Sequence, residues 1–192
     1  MWVAASTRDG EEALILDALA QTPLPRETLL VIVPRHPQRF AEVAALLRTR
    51  GVAFIRRSDN RQVPAEVGVV LGDSMGELLA YYAAADLAFI GGSLLPLGGQ
   101  NLIEALAVGA PVLIGPHTFN FNEAAIGAVA AGAAQRVADA EALIQAVEAL
   151  LRDPAQRDAM QEAACAFHAA HRGATARLMR WLGPHLDARG LR

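Results

Sequence analysis

Cysteine and aromatic residues are scarce in this sequence. Cys165 is the only cysteine among 192 residues, which excludes an internal disulfide and a zinc cluster built on cysteine ligands. Aromatic residues make up 5% of the chain and apolar residues 53%, so the core must consist mainly of alanine, leucine, valine and isoleucine. This composition is typical of a helix-rich α/β domain. Cys165 lies in an alanine-rich helical pattern, which predicts a buried side chain without a catalytic role.

The chain also lacks an excess of basic residues. It carries 17 lysines and arginines against 20 aspartates and glutamates, which gives a formal net charge of -3. Proteins that bind nucleic acids need clustered basic residues to neutralise phosphates. This balance therefore argues against a nucleic-acid partner.

Long uninterrupted apolar segments are missing as well. The longest weakly charged run, residues 78–100, is broken by Asp86, by two glycine pairs and by Pro96, and the first residues show no secretory signal. The run therefore predicts a helix, a strand and a loop rather than a membrane span. We expect this chain to be a soluble domain.

Several catalytic and cofactor motifs do not occur. No Gly-x-Gly-x-x-Gly follows the first apolar run and no Walker sequence is present, which counts against a dinucleotide-binding domain and a P-loop enzyme. The five histidines form no recognised ligand pattern, so we predict no metal and no cofactor.

Apolar runs and helical patterns alternate along the whole chain. Strands are predicted at residues 2–6, 29–33, 52–55, 68–71, 87–90 and 111–114, with an edge strand at 134–137. Helices are predicted at 11–20, 39–50, 74–85, 101–108, 122–131 and 140–151, followed by one that opens at Pro154. The strands read as continuous apolar runs, as in a parallel sheet with both faces covered. We therefore predict one doubly wound, Rossmann-like α/β domain over residues 1–192, with carboxyl-terminal helices over 140–186.

The stretch from residue 91 to residue 121 is the centre of this arrangement. It contains the glycine pairs Gly91-Gly92 and Gly98-Gly99 and a predicted helix that begins at Asn101. Glycine allows the backbone to approach a ligand closely, and the free N–H groups of a helix start suit a phosphate. In an open parallel sheet, ligands bind beyond the carboxyl ends of the strands, where this stretch is expected to lie.

Four pairs of residues have the spacing of a helix capping box, in which a short polar residue precedes a glutamate by three positions. Capping alone explains Asp9/Glu12 and Asn120/Glu123. For Ser74/Glu77 and Asn101/Glu104, adjoining glycines offer a second interpretation, in which a carboxylate accepts hydrogen bonds from ribose hydroxyls. Both interpretations remain open. The pairs are Asp9/Glu12, Ser74/Glu77, Asn101/Glu104 and Asn120/Glu123.

A predicted strand is followed directly by Pro34 and Arg35. Because this position faces the same sheet edge as the glycine loops, Arg35 is able to bind a phosphate or carboxylate through two parallel hydrogen bonds. The alternative is a solvated turn arginine, and position alone does not separate the two.

A set of motifs in this order resembles the lipid A 3-deoxy-D-manno-octulosonic acid (Kdo) transferases. The resemblance covers most of the chain and rests on Ser6-Thr7 with GEE at 10–12, VPRHPQRF at 33–40, GDSMGEL at 72–78, ADLAFIGGS at 85–93, GGQNLIEA at 98–105 and GPHTFNF at 115–121. It matches the carboxyl-terminal, donor-binding half of a two-domain GT-B glycosyltransferase. The amino-terminal half, which in that family holds the membrane anchor, the acceptor site and a glutamate base, is absent from this sequence.

The resemblance implies inverting transfer of Kdo from CMP-Kdo to a lipid A precursor at the cytoplasmic face of the inner membrane. The implied partners of the whole enzyme are thus CMP-Kdo, the lipid A precursor and the membrane surface. The implied donor site consists of Pro34 and Arg35 against CMP, Met75, Gly76 and Glu77 along the nucleotide, Gly92 and Ser93 in the first glycine loop, and Asn101, Leu102, Ile103 and Glu104 at the phosphate and ribose.

Two departures from the family pattern stand next to this site. Arg8 and Gln100 occupy positions where familiar members have histidine, so the resemblance assigns no direct role to either side chain. Because the base belongs to the other half, no catalytic residue is predicted here, and we expect no turnover by this chain alone. The alternatives are the donor domain of another GT-B glycosyltransferase or UDP-sugar epimerase, and a noncatalytic nucleotide-binding module.

Overall fold

Strands and α-helices alternate along most of the computed structural model, which describes residues 1–173, 178–182 and 185, and residues 178–182 are also helical. The strands are β1 (Trp2–Thr7), β2 (Leu30–Pro34), β3 (Phe54–Arg56), β4 (Val69–Leu71), β5 (Leu87–Ile90), β6 (Val112–Ile114) and β7 (Ala134–Arg136). The helices are α1 (Glu11–Gln21), α2 (Phe40–Thr49), α3 (Leu78–Ala84), α4 (Ile103–Ala107), α5 (Asn122–Ala130), α6 (Ala140–Arg152) and α7 (Pro154–His171). Short 3-10 turns occupy Pro37–Arg39, Arg57–Asp59 and Phe119–Phe121.

All seven strands join one parallel sheet in the order β3-β4-β2-β1-β5-β6-β7. Strand β1 lies near the centre and is completely buried, because it pairs with β2 on one side and β5 on the other. A parallel pair needs a crossover between its strands, and here a helix supplies most of these crossovers. This confirms the predicted doubly wound α/β fold.

The sheet separates two apolar layers. Successive residues of a strand point to opposite faces, so Trp2 and Ala4 join one layer while Val3 and Ala5 join the other. Helices α1, α2 and α6 cover the first face, and α3, α4 and α5 cover the second. Burial of both faces removes the side chains of β1, β2, β4, β5 and β6 from water, which contributes roughly 1.5–3 kcal/mol for each large apolar one.

The strand predictions are confirmed within two residues at every boundary, and two other predictions are wrong. The helix predicted from Ser74 begins at Leu78, because Gly76 adopts the left-handed region (φ +81°) and Glu77 is the N-cap. Cys165 is exposed on α7 rather than buried. Of the predicted span 140–186, residues 174–177, 183–184 and 186 lie outside the described residues.

Candidate functional site

The order of the strands reverses between β1 and β5. The chain leaves β1 through α1 toward β2, whereas it leaves β5 through α4 toward β6 on the opposite side. Loops at such a switch point diverge and leave a crevice at the carboxyl ends of the strands, which is where open α/β sheets bind ligands. Residues 8–10 and 91–100 form the two loops at this position.

A buried carboxylate, Glu11, ties these two loops together. Its Oε2 accepts hydrogen bonds from the backbone N–H groups of Gly92 and Arg8 at 2.6 and 2.8 Å. Its Oε1 accepts two more, from Ser93 and Leu94, both at 3.0 Å. Burial raises the pKa of Glu11, and the four backbone N–H groups oppose that rise. The carboxylate therefore fixes the backbone of the glycine loop from within the protein.

The loop after β5 also packs closely against both neighbouring strands. A Cβ at Gly91 would lie 2.5 Å from the carbonyl oxygen of Ser6, and a Cβ at Gly115 would overlap the carbonyl group of Ser93. The Ser93 hydroxyl donates to Ile90 O at 2.5 Å and accepts from Gly115 N–H at 2.8 Å. Only glycine permits these backbone approaches, so the loop has one well-defined path.

The sequence predicted that Gly92 and Ser93 belong to the donor site. In the structure both residues make their hydrogen bonds within the protein. Ser93 is fully buried, with its hydroxyl and its N–H both bonded within the protein. It has no exposed surface for direct contact with a ligand in this conformation, and it shapes the loop instead. The N–H of Gly92 is likewise taken by Glu11, while the open side of Gly92 (φ +69°) is covered by the side chains of Arg8 and Gln100.

At the end of β2, Arg35 reaches across to the loop after β5. Its Nε donates to Oε1 of Gln100 at 3.2 Å, and its backbone N–H donates to Thr7 O at 2.9 Å. Pro34 is buried at the end of the strand, so of the two predicted residues only Arg35 presents an exposed polar side chain. The structure thus brings Arg35 next to the start of the predicted phosphate segment.

The segment after β4 presents Glu77 in a charged pair. Oε1 of Glu77 accepts from Arg57 at 2.8 Å, and Oε2 accepts from the hydroxyl of Ser74. The Ser74 hydroxyl, followed by the Arg57 guanidinium, lowers the pKa of Glu77 against a smaller opposing effect of desolvation. Met75, at 62% exposure, and Gly76 form the exposed turn in front of this pair.

Asn101 and Glu104 face each other at the start of α4. The Asn101 amide donates to Oε1 of Glu104 at 3.0 Å, and its Oδ1 accepts from Ile103 N–H at 3.0 Å. Glu104 is exposed, whereas Leu102 is 1% exposed and packs in the core, so Leu102 offers a ligand only its backbone. Helix α3 packs on α4, and burial together with the Glu104 charge raises the pKa of Tyr82 between them. This packing places the Glu77 and Glu104 segments side by side.

The capping predictions fail at all four pairs, because no side chain caps α1, α3, α4 or α5. Glu12 instead binds the hydroxyl of Thr7 at 2.7 Å and Arg39 at 2.6 Å, and Asn120 donates to Leu97 O at 3.3 Å. Ser74/Glu77 and Asn101/Glu104 interact as local pairs at a helix start, through their side chains rather than as capping boxes.

Sequence reasoning missed Glu11 as part of this site. The partners of its carboxylate lie more than 80 positions away in the chain, apart from Arg8. The available signal was the adjacency of two acidic residues, Glu11 and Glu12, directly behind a buried strand and a glycine. Such residues are rarely buried unless something bonds them, and here both are fully buried.

A cavity of about 360 Å³ between α1 and α6 is a competing location for a ligand. Its polar lining includes Asp17, Asp139 and Glu141, with no basic residue among the lining residues. An acidic lining repels a nucleotide phosphate, whereas the carboxyl edge carries Arg8 and Arg35. The charge distribution therefore favours the carboxyl edge despite its more open shape.

Among the residues that the structure describes, no helix combines the length and the apolar character needed to cross a bilayer.

The chain is similar in sequence to known glycosyltransferases. The family described as Glycosyl transferases group 1 matches residues 49–166, which is more than half of the chain. The 3-deoxy-D-manno-octulosonic acid transferase of Bordetella pertussis is 52% identical over 191 residues, covering 93% of this chain and 44% of that protein. The Haemophilus influenzae enzyme of the same name is 44% identical over 192 residues, covering 97% of this chain and 44% of that protein.

A solved structure adds a match over nearly a whole domain. The C-terminal CMP-Kdo binding domain of WaaA from Acinetobacter baumannii has 34% sequence identity and a TM-score of 0.81, with 86% of this chain and 87% of that chain covered. The fold is thus the Rossmann-like carboxyl-terminal domain of a GT-B glycosyltransferase. The chain belongs to the group 1 glycosyl transferases and, within them, to the 3-deoxy-D-manno-octulosonic acid transferases. It spans less than half the length of the two curated relatives.

Proposed function

We propose that this chain binds CMP-Kdo as the donor half of a Kdo transferase in lipopolysaccharide biosynthesis. The observation that carries the proposal is the similarity, at 34% identity and a TM-score of 0.81, to a domain described as binding CMP-Kdo. In the whole enzyme, inverting transfer to a lipid A precursor would take place at the cytoplasmic face of the inner membrane. The catalytic base belongs to the amino-terminal half, so this chain holds the donor without turning it over.

The geometry of the carboxyl edge supports a specific placement of the nucleotide. Arg35 extends beyond β2 toward Gln100, in front of the Asn101–Glu104 turn. Glu104 is exposed and, within the described part of the chain, only its Oε1 has a hydrogen-bond partner, so the carboxylate retains capacity for the ribose hydroxyls. Met75, Gly76 and Glu77 border the same space through the packing of α3 on α4.

The chemistry required of this half is charge stabilisation. When the bond from the sugar to CMP breaks, negative charge develops on the departing phosphate. A guanidinium positioned in advance stabilises that charge more in the transition state than in the ground state. Arg35 is the residue that we assign to this task, and the proposal includes no metal and no cofactor.

Calorimetric titration with CMP, UMP and AMP tests this function. We expect CMP to bind most tightly, and Glu104→Ala to weaken CMP binding by about tenfold because a charge-assisted hydrogen bond to the ribose is lost. Glu123→Ala is the matched control, since Glu123 stands three positions after an asparagine at an exposed helix start and is not among the predicted donor-site residues. Preference for UMP would contradict the CMP assignment and favour another GT-B transferase or a UDP-sugar epimerase. Equal binding of all three would favour a noncatalytic nucleotide-binding module.

A further inference from the structure

Three side chains from three neighbouring strand ends converge over Gly92. Arg8 follows β1, Arg35 follows β2 and Gln100 lies in the loop after β5. A Cβ on Gly92 would be 3.4 Å from Cγ of Arg8 and 3.1 Å from Nε2 of Gln100, so both side chains lie directly on this glycine. Arg35 contacts the side-chain amide of Gln100, because its Nε donates a 3.2 Å hydrogen bond to Gln100 Oε1. We call Arg8, Arg35 and Gln100 the arginine cluster.

The two arginines of this cluster have no carboxylate partner within the described residues. Two other arginines along the same sheet edge are neutralised, since Arg39 pairs with Glu12 at 2.6 Å and Arg57 pairs with Glu77 at 2.8 Å, whereas Arg136 at the end of β7 donates to carbonyl and hydroxyl oxygens. The Arg35 contact is to a neutral amide, and the neighbouring carboxylate Glu11 is already occupied by backbone N–H groups. Arg8 and Arg35, without carboxylate partners and close to the same loop, repel each other. An anion bound between them and the loop would offset this repulsion.

The proposed donor brings two anionic groups to this edge. CMP-Kdo carries the phosphate of CMP and, because Kdo is an octulosonic acid, a sugar carboxylate. Arg35 bonds Gln100 in front of the Asn101–Glu104 turn, where the nucleotide is placed, so we assign the phosphate to Arg35. Arg8, at the end of the neighbouring strand β1, is the second cation and is available to the sugar acid.

We propose that Arg8 binds the carboxylate of the donor sugar, while Arg35 binds the phosphate. This inference rests on the proposed function and adds the specificity-determining residue for the sugar. A guanidinium and a carboxylate form two parallel charge-assisted hydrogen bonds, which selects a sugar acid over a neutral sugar. Gln100 keeps the two guanidinium groups apart by holding Arg35 through its Oε1.

The test compares the dissociation constants of CMP and CMP-Kdo for the intact chain and for single variants, in short titrations with freshly prepared donor. The wild-type chain is expected to bind CMP-Kdo more tightly than CMP. Arg8→Gln should weaken CMP-Kdo binding by about tenfold to a hundredfold and change CMP binding less than about threefold. Arg35→Gln should weaken both ligands to a similar extent, and Arg8→Lys should retain part of the preference for CMP-Kdo because the charge is kept.

The matched control is Arg26→Gln, which changes another exposed arginine in the segment that leads into the opposite end of β2. It should leave both dissociation constants unchanged. Thermal unfolding of each variant separates loss of binding from loss of fold. If Arg8→Gln does not fold, Arg8→Lys replaces it as the variant that tests the sugar carboxylate contact.

Two results would overturn the inference while leaving the proposed function in place. One is a wild-type chain that binds CMP and CMP-Kdo equally well. The other is an Arg8→Gln variant that loses affinity for both ligands in the same proportion. Failure of the wild-type chain to prefer CMP over UMP would instead overturn the proposed function, and the inference with it.

Discussion

Glu77 shows how single residues set the charge of the proposed nucleotide site. Its carboxylate receives a hydrogen bond from the Ser74 hydroxyl and an ion pair from Arg57, and together these lower its pKa below the ordinary value of 4.5. A lowered pKa in the folded state stabilises the fold at every pH above 4.5. That contribution is lost as the pH falls through the folded-state pKa. Glu77 therefore stays negative throughout the neutral range.

Replacement of Ser74 by alanine should raise the pKa of Glu77 toward its ordinary value, because the hydroxyl is the largest of the effects that lower it. A carbon-detected NMR titration of the Glu77 carboxyl group between about pH 2 and 7 measures this change, since the interval brackets ordinary glutamate values. Ser58→Ala is the matched control, as Ser58 donates a similar 2.7 Å hydrogen bond to the neighbouring Asp73 and not to Glu77. An unchanged pKa in Ser74→Ala would refute this account of the Glu77 charge.

At the scale of the elements, the site depends on how closely three strand-end loops pass each other. The loop after β5 crosses the end of β1 at Gly91 and the end of β6 at Gly115, and in both places backbone meets backbone. Glu11 then fastens the same loop to the start of α1. These contacts join the loop after β5 to β1, β6 and α1, so the loop cannot move independently of these elements.

Gly115→Ala should destabilise the chain by about 3 kcal/mol or more, because the new methyl group overlaps the Ser93 backbone and cannot be relieved by a side-chain rotation. Gly68→Ala is the control, since the nearest atom to a Cβ there is 3.9 Å away and its φ is not left-handed. It should change stability by less than about 1 kcal/mol. Urea unfolding of the two variants measures both effects, and equal stabilities would show that the loops yield to the extra methyl group.

The elements were largely predictable from sequence because their signals are local. Continuous apolar runs give the strands, and even the short edge strand β7 lies where residues 134–137 predict it. The error at Ser74 has a local physical cause, since a glycine in the left-handed region separates the polar turn from the helix. Capping spacing misled at Glu12 because that carboxylate pairs with a tertiary partner, Arg39, and α1 has no side-chain cap.

The site was predictable only in part, because its decisive contacts join distant residues. The motifs led to Arg35 and Glu104 at the right edge of the sheet, but not to the Arg35–Gln100 hydrogen bond that spans 65 positions. They also did not indicate that Ser93 is buried or that Glu11 holds four backbone N–H groups. Such contacts follow from the strand order, which a list of strands does not specify.

At the scale of the whole molecule, this chain has the fold of the carboxyl-terminal domain of a GT-B glycosyltransferase. It covers 44% of the length of each of its two curated relatives and nearly all of a solved carboxyl-terminal domain. In our proposal its sheet edge recognises the donor, through cations beside a glycine loop and an exposed carboxylate at a helix start. Acceptor binding and transfer require the other half, in the account that we propose.

The most direct test of this account is an NMR titration of the isotope-labelled chain with CMP. We expect the largest backbone shift changes at Arg35, Gly76, Glu77 and Glu104, the residues around the proposed nucleotide, with much smaller changes for UMP at the same concentrations. Changes confined to the α1–α6 cavity, around Leu14 and Asp17, would contradict the placement of the donor at the carboxyl edge. Equal responses to CMP and UMP would contradict its identity as CMP-Kdo.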